Sequence, residues 1–175
     1  MIGRRGILAG FAAAIAVVGG MGVRRLFETE PHVVSESAEL YQLVLPDLMG
    51  QPQHLSQWKG KILVANFWAT WCEPCREEIP AMVKIQAKYA SKSVQFVGIS
   101  IDSVDKIQQF ATSFRINYPL LIGGLESLAL LRSMGNQAGV LPFTAVLRQD
   151  GSLVQSHMGA IAEGQLDNLL KTLIS

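Results

Sequence analysis

The stretch Phe67-Trp68-Ala69-Thr70-Trp71-Cys72-Glu73-Pro74-Cys75-Arg76-Glu77-Glu78-Ile79-Pro80 holds both cysteines of the 175-residue chain. They lie three positions apart, where an apolar run suited to a strand gives way to a pattern suited to a helix. Residues i and i+3 of a helix share one face about 5–6 Å apart, and a disulfide needs Cα atoms about 4.4–6.8 Å apart. Cys72 and Cys75 can therefore open and close a bond with little backbone movement. With Cys72 at the first helical position, unpaired N–H groups and the positive helix end favour its thiolate, the form that attacks disulfides. Cys75, one turn further in, is the more sheltered thiol and the natural resolving partner. Pro74 fits, because a proline in the first turn forfeits only an N–H that has no intrahelical partner.

Three other readings compete. A structural bridge across so short a loop constrains the unfolded chain little. A zinc site needs two further ligands from a chain with no other cysteine. Two unrelated core cysteines are the third possibility. The spacing and setting favour a redox dithiol.

The segment Asn66 to Cys75, followed by Arg76-Glu77-Glu78-Ile79-Pro80, resembles the active site of the membrane-anchored thioredoxin-like reductases of the TlpA/ResA type. The resemblance runs from about Leu40 to the C-terminus and includes a second motif, Gly139-Val140-Leu141-Pro142-Phe143-Thr144, followed by an apolar strand and an Asp150-Gly151 turn. It implies an α/β thioredoxin-like fold: a central mixed β-sheet flanked by helices, preceded by an N-terminal β-hairpin. The resemblance also implies that the Leu141-Pro142 bond is cis opposite the dithiol, with the Leu141 backbone aimed at an extended substrate. Composition and periodicity alone support only an α/β domain.

Asn66 departs from ordinary thioredoxins, which carry a buried aspartate at the matching position. An amide cannot accept the proton of Cys75. Glu78, three residues after Cys75 on the same helical face, matches the active-site glutamate of the ResA-like reductases and is the candidate base. The alternative is a solvated helix carboxylate, the reading preferred for Glu73 and Glu77. Trp68 is expected in the core, while Trp71 is expected to shield the dithiol and offer an apolar landing surface.

A net charge of +1 gives no support for nucleic-acid binding, which wants a clustered basic surface. Residues 1–25 read as an N-terminal membrane anchor. Gly6 to Val23 is an uncharged run between Arg4-Arg5 and Arg24-Arg25, and its length as a helix is about 27 Å, close to the roughly 30 Å hydrocarbon core. A cleaved signal peptide, with Gly20 and Gly22 near a possible cut, is the main rival. A buried core helix is another, and Arg4-Arg5 weakly matches a twin-arginine signal. The short N-terminal tail places the N-terminus inside the cell and the catalytic domain on the periplasmic or extracytoplasmic side of the cytoplasmic membrane. Residues 26–39 read as a charged tether and 40–175 as the folded domain.

Within that domain the expected strands are Leu40 to Leu45, Gln53 to Leu55, Lys61 to Trp68, Val94 to Ser100, Pro119 to Ile122, Phe143 to Leu147 and Leu153 to Met158. The helix after Cys75 shows Ile79, Met82, Val83 and Tyr89 on one face, with Pro80 expected to kink it. A second helix, capped by Asp102 or Ser103, carries Val104, Ile107, Ala111 and Phe114 on its apolar side. Leu125 to Met134 and Gln165 to Ile174 complete the helices.

Taken with the resemblance, these features imply an extracytoplasmic protein-disulfide reductase that needs no cofactor and no metal. The implied substrates are cysteine-containing proteins, such as apocytochrome c awaiting haem or metal-site assembly proteins. The implied donor is a transmembrane thiol protein that carries electrons outward. The rival from another class is a copper-binding chaperone using Cys72, Cys75 and His157, although such relatives usually place three residues between the cysteines.

Overall fold

The structure, a computed structural model, describes residues 36–174. The anchor expected over residues 1–25, and most of the tether, lie outside the described residues.

The described chain opens with α1 (Glu36–Gln42), then the strands β1 (Val44–Pro46) and β2 (Pro52–His54) and a 3-10 turn over Leu55–Trp58. Strand β3 (Ile62–Trp68) leads into α2 (Glu73–Tyr89), β4 (Val94–Ser100), α3 (Val104–Phe114), β5 (Leu120–Ile122) and α4 (Leu125–Ser133). The hairpin β6 (Phe143–Leu147) and β7 (Leu153–Met158) and the helix α5 (Glu163–Ile174) close the fold. Five strands form one sheet in the order β5-β4-β3-β6-β7, parallel between β3, β4 and β5 and antiparallel across β3-β6-β7. The hairpin β1-β2 stands apart as a two-stranded sheet, joined to the edge strand by a bridge from Asp47 to Leu121. This is the expected thioredoxin-like arrangement.

All seven residues of β3 are buried, as a central strand covered on both faces requires. Alternation divides them between two cores. Ile62, Val64 and Trp68 pack with Ile79, Met82, Ile107, Phe110 and Leu166 on the face covered by α2, α3 and α5. Leu63, Ala65 and Phe67 pack with Leu40, Leu45, Leu55, Leu131 and Phe143 on the other face. Asn66 has the parity of the first set, so its amide faces α2.

One expectation needs correction. Leu40 to Leu45 reads as a strand, yet the helix α1 runs through Gln42 and only Val44–Pro46 is extended. Leu40 and Tyr41 are both buried in the second core. Adjacent buried positions suit one turn of helix, whereas a half-buried strand buries alternate ones. Ala38, Glu39 and Leu40 are also good helix formers.

Candidate active site

The fully buried strand β3 ends at Trp68, and four residues later the chain turns into α2. That places the dithiol beyond the carboxyl end of a central strand, where α/β sheets commonly carry their chemistry. Cys72 and Cys75 are joined in a disulfide with Cα atoms 5.3 Å apart. Cys72 is the N-cap of α2, one position earlier than the first helical residue that the spacing suggested. Its sulfur accepts a hydrogen bond from the Cys75 N–H at 3.3 Å. The N-cap sets the sulfur against the unpaired N–H groups of the first turn. Pro74 occupies the first turn without losing a helical bond, and α2 runs on through Pro80.

The two cysteines differ slightly in exposure. Cys72 retains 6% exposure and Cys75 none. Trp71, beside Cys72, is 66% exposed. Phe143 pairs with Phe67 at the end of β3, and just before it the Leu141-Pro142 bond is cis, with Leu141 partly exposed and Pro142 buried. The Gly159 N–H ties the Pro142 carbonyl to the end of β7 at 2.8 Å. Val140 and Met158 are exposed apolar residues next to that proline in sequence or strand register.

Beneath Cys75 lies Glu78, which is only 4% exposed, so it is not the solvated helix carboxylate of the alternative reading. Oε1 accepts from Asn66 Nδ2 at 2.8 Å and Oε2 from the Ile161 N–H at 2.9 Å. Asn66 Nδ2 also donates to Thr144 Oγ1 at 3.0 Å, across the β3-β6 pairing. Burial pushes the Glu78 carboxyl up to about 7, against the opposing pull of the Ile161 and Asn66 hydrogen bonds. Among the described residues no cation forms an ion pair with it. The buried Tyr118 phenol is pushed up, first by burial and then by the charge of Glu78. A surface groove lined by Glu77, Ala81, Ala160, Ile161 and Glu163 runs past Glu78. A carboxyl held near neutrality beside a buried thiol can give or take a proton there.

Glu73 and Glu77 are exposed, and Trp68 is fully buried, as expected. His157 sits opposite Thr144 in the β6-β7 register, with Nε2 3.2 Å from the Ala160 carbonyl oxygen. Among the described residues, no cluster of three His, Cys, Asp or Glu side chains is placed to hold a metal ion. The sequence reading assigns no role to Thr144 or Ile161, yet both complete the Glu78 site. The Thr144 contact follows from parity, because Asn66 and Thr144 share a face and are cross-strand partners. Ile161 contributes only its backbone, so no residue type marks it.

Residues 31–173 match the Redoxin family. The chain belongs to that family. It is 30% identical over 136 residues to the thiol-disulfide oxidoreductase ResA of Bacillus anthracis, covering 77% of this chain and 76% of that protein. It is 31% identical over 141 residues to the thioredoxin-like protein YneN of Bacillus subtilis strain 168, covering 78% and 79%. Among solved structures, the thioredoxin-related protein from Neisseria meningitidis serogroup B is similar at 36% identity and a TM-score of 0.65, covering 74% of this chain and 97% of that one. The thiol:disulfide interchange protein from Chlorobium tepidum TLS matches at 27% identity and a TM-score of 0.69, covering 76% and 93%. With its thioredoxin-like fold and paired cysteines, this Redoxin-family chain is a thiol-disulfide oxidoreductase.

Proposed function

We propose that the protein reduces disulfides of protein substrates on the extracytoplasmic side of the cytoplasmic membrane, held there by residues 1–25. Its substrates would be cysteine-bearing proteins such as apocytochrome c before haem attachment, or metal-site assembly proteins. A transmembrane thiol donor would return it to the dithiol form. The single observation that carries the reading is the asymmetry of the site: Cys72 at the helix N-cap retains a small exposure, while Cys75 is fully buried three residues before a carboxyl of near-neutral pKa. The uncharged stretch Gly6 to Val23 supports the anchor, and the ResA relatives support the substrate class.

In this reading the Cys72 thiolate attacks a substrate disulfide, forming a Cys72–substrate bond and releasing one substrate thiolate, which takes a proton from solvent. Glu78 then accepts the Cys75 proton. The Cys75 thiolate attacks Cys72 Sγ, breaking the mixed disulfide and closing the Cys72–Cys75 bond. The second substrate sulfur leaves and is protonated, so two electrons have passed to the substrate. Trp71, Val140 and Met158 offer apolar contact, and the Leu141 backbone beside Pro142 offers pairing to an extended chain.

Partner trapping tests this. A Cys75→Ser variant expressed in native membranes is expected to accumulate mixed disulfides through Cys72 with extracytoplasmic cysteine proteins. Capture of cytoplasmic proteins alone, or recovery of the mature protein free of the membrane, would sink the proposal.

A further inference from the structure

Residues Ala69, Thr70 and Trp71 join β3 to α2 outside any strand or helix, so side chains and isolated backbone bonds must hold them. Trp71 is largely exposed and contributes little packing. The grip comes at Thr70, from two directions. Thr70 Oγ1 donates to Asp102 Oδ2, and the Thr70 carbonyl accepts from an Arg76 guanidinium nitrogen at 3.4 Å. That guanidinium lies over the Phe110 ring at 5.8 Å, and Phe110 packs on Trp68 at 4.9 Å.

Asp102 stands between β4 and α3, and its side chain is 7% exposed. Its second oxygen accepts from the Ser103 N–H at 2.8 Å and pairs with Lys106 at 3.3 Å. Burial works to raise this carboxyl, but the hydrogen bonds from Thr70, Ser103 and Lys106 outweigh it and hold it below the usual range. An ionised, fixed acceptor is a stronger anchor for a hydroxyl than a neutral one. The same loop is pinned at its flanks, where the Cys72 N–H donates to the Ala69 carbonyl at 3.2 Å and the Ile101 N–H to Trp68 at 3.3 Å.

We propose that Asp102 is a positioning residue for Cys72, acting through Thr70. Attack on a disulfide needs the sulfur in line with the bond it breaks, and Thr70 is two residues upstream of that sulfur. Asp102 carries the position of the end of β4 to the middle of the loop, beyond the reach of the backbone bonds that pin its flanks. It touches neither sulfur.

The test is a double-mutant cycle in the Cys75→Ser background, where only Cys72 can attack. The rate of reaction with a small aromatic disulfide is measured per folded molecule, with folded fractions from thermal melts. A misplacement of about 1 Å can cost about 10²-fold, so Thr70→Val and Asp102→Ala, which loosen the sulfur by less, are each expected to slow attack about tenfold. Because they cut one link, the double variant is expected to be no slower than the slower single one. Asp102→Asn keeps a partner for the hydroxyl, which can donate or accept, and, as the weaker neutral anchor, is expected to recover part of the rate. The proposal is overturned by additive effects that multiply to about a hundredfold, by unchanged rates in both single variants, or by no recovery in Asp102→Asn. It rests on Cys72 being the attacking thiol. A parent Cys75→Ser protein that fails to react breaks that assignment and this inference together, whereas failure of the inference alone appears only in the ratios between variants.

Discussion

The two ends of α2 treat their carboxylates in opposite ways. At the N-terminal end Glu78 is buried with an amide and a backbone N–H for company, and its carboxyl rises to about 7. At the C-terminal end Asp167 of α5 accepts from Lys88 at 2.6 Å, from Lys171 at 2.8 Å and from the Tyr89 hydroxyl at 2.8 Å. The Lys171, Lys88 and Tyr89 bonds hold it far below the usual carboxylate range. Lys84 and Glu163 add a further exposed pair between the two helices. Neutral hydrogen bonds satisfy a carboxylate geometrically without cancelling its charge, and only cations do both. One end of the helix is therefore titratable where biology operates, while the other is fixed as an ion pair that joins α2 to α5.

The largest expected effect removes the chemistry at the first end. Cys72→Ser should abolish thiol-disulfide exchange, read as loss of insulin or model-disulfide reduction at any enzyme concentration. Residual turnover carried by Cys75 would erase the asymmetry between the sulfurs.

Glu78→Gln should come next. Its folded pKa of about 7 lies above the ordinary 4.5, so between those values the folded state binds the proton more tightly than the unfolded chain does. Stability from this group is complete below about pH 4.5 and falls as pH rises to about 7, by up to about 3 kcal/mol. Urea melts of the oxidised protein across that window should show the slope in the wild type and lose it in Glu78→Gln. The same variant should slow resolution of the mixed disulfide about a hundredfold at neutral pH while sparing the first attack. Stopped-flow traces of both steps decide it.

Asn66→Asp sharpens the contrast by putting a second carboxyl 2.8 Å from Glu78 Oε1. Two such groups titrate as a pair, with one apparent pKa raised further. Carbon-detected NMR titration should show two coupled steps straddling the wild-type one. Stability should fall at neutral pH relative to wild type by about 1–3 kcal/mol. The smallest effect belongs to Asp167→Asn. Its pKa is depressed, so its contribution is present above the unfolded value near 3.8 and lost as pH falls below it. A small drop in Tm near neutrality, which shrinks in 1 M salt, is the expected outcome. A large, salt-independent drop would mean the residue does more than pair ions.

Strands were legible where burial made the apolar run continuous, and the partly exposed Leu153–Met158 from the turn that precedes it. Val94–Ser100, Phe143–Leu147 and Leu153–Met158 match their expected bounds, and Ile62–Trp68 differs by one residue. The Asp150-Gly151 turn marks its hairpin through Gly151, whose φ of 88° favours glycine. The helix α1 was not legible, because seven residues span only two turns and Tyr41, Leu43 and Leu45 alternate as a strand would. At the site, the dithiol could be read from local spacing, and Glu78 from its place after Cys75 together with the family resemblance. The partners of Glu78 could not, since Ile161 lies 83 residues away and offers only an N–H. The anchoring of Thr70 by Asp102 was hidden for the same reason: the two are 32 residues apart, and each has an ordinary local reading as a turn or cap residue.

The bridge from Asp47 to Leu121 has a consequence for solubility. Strand β5 is three apolar residues, Leu120, Leu121 and Ile122, at the edge of the main sheet. A bare apolar edge is a template on which a strand from another copy can dock. By laying the β1-β2 hairpin across that edge, the chain occupies the template with itself, and the two copies of Pro in the hairpin, Pro46 and Pro52, carry no N–H with which to extend the pairing outward. Loosening the hairpin from that edge would thus leave β5 open to the β5 of another copy, an encounter that grows with concentration.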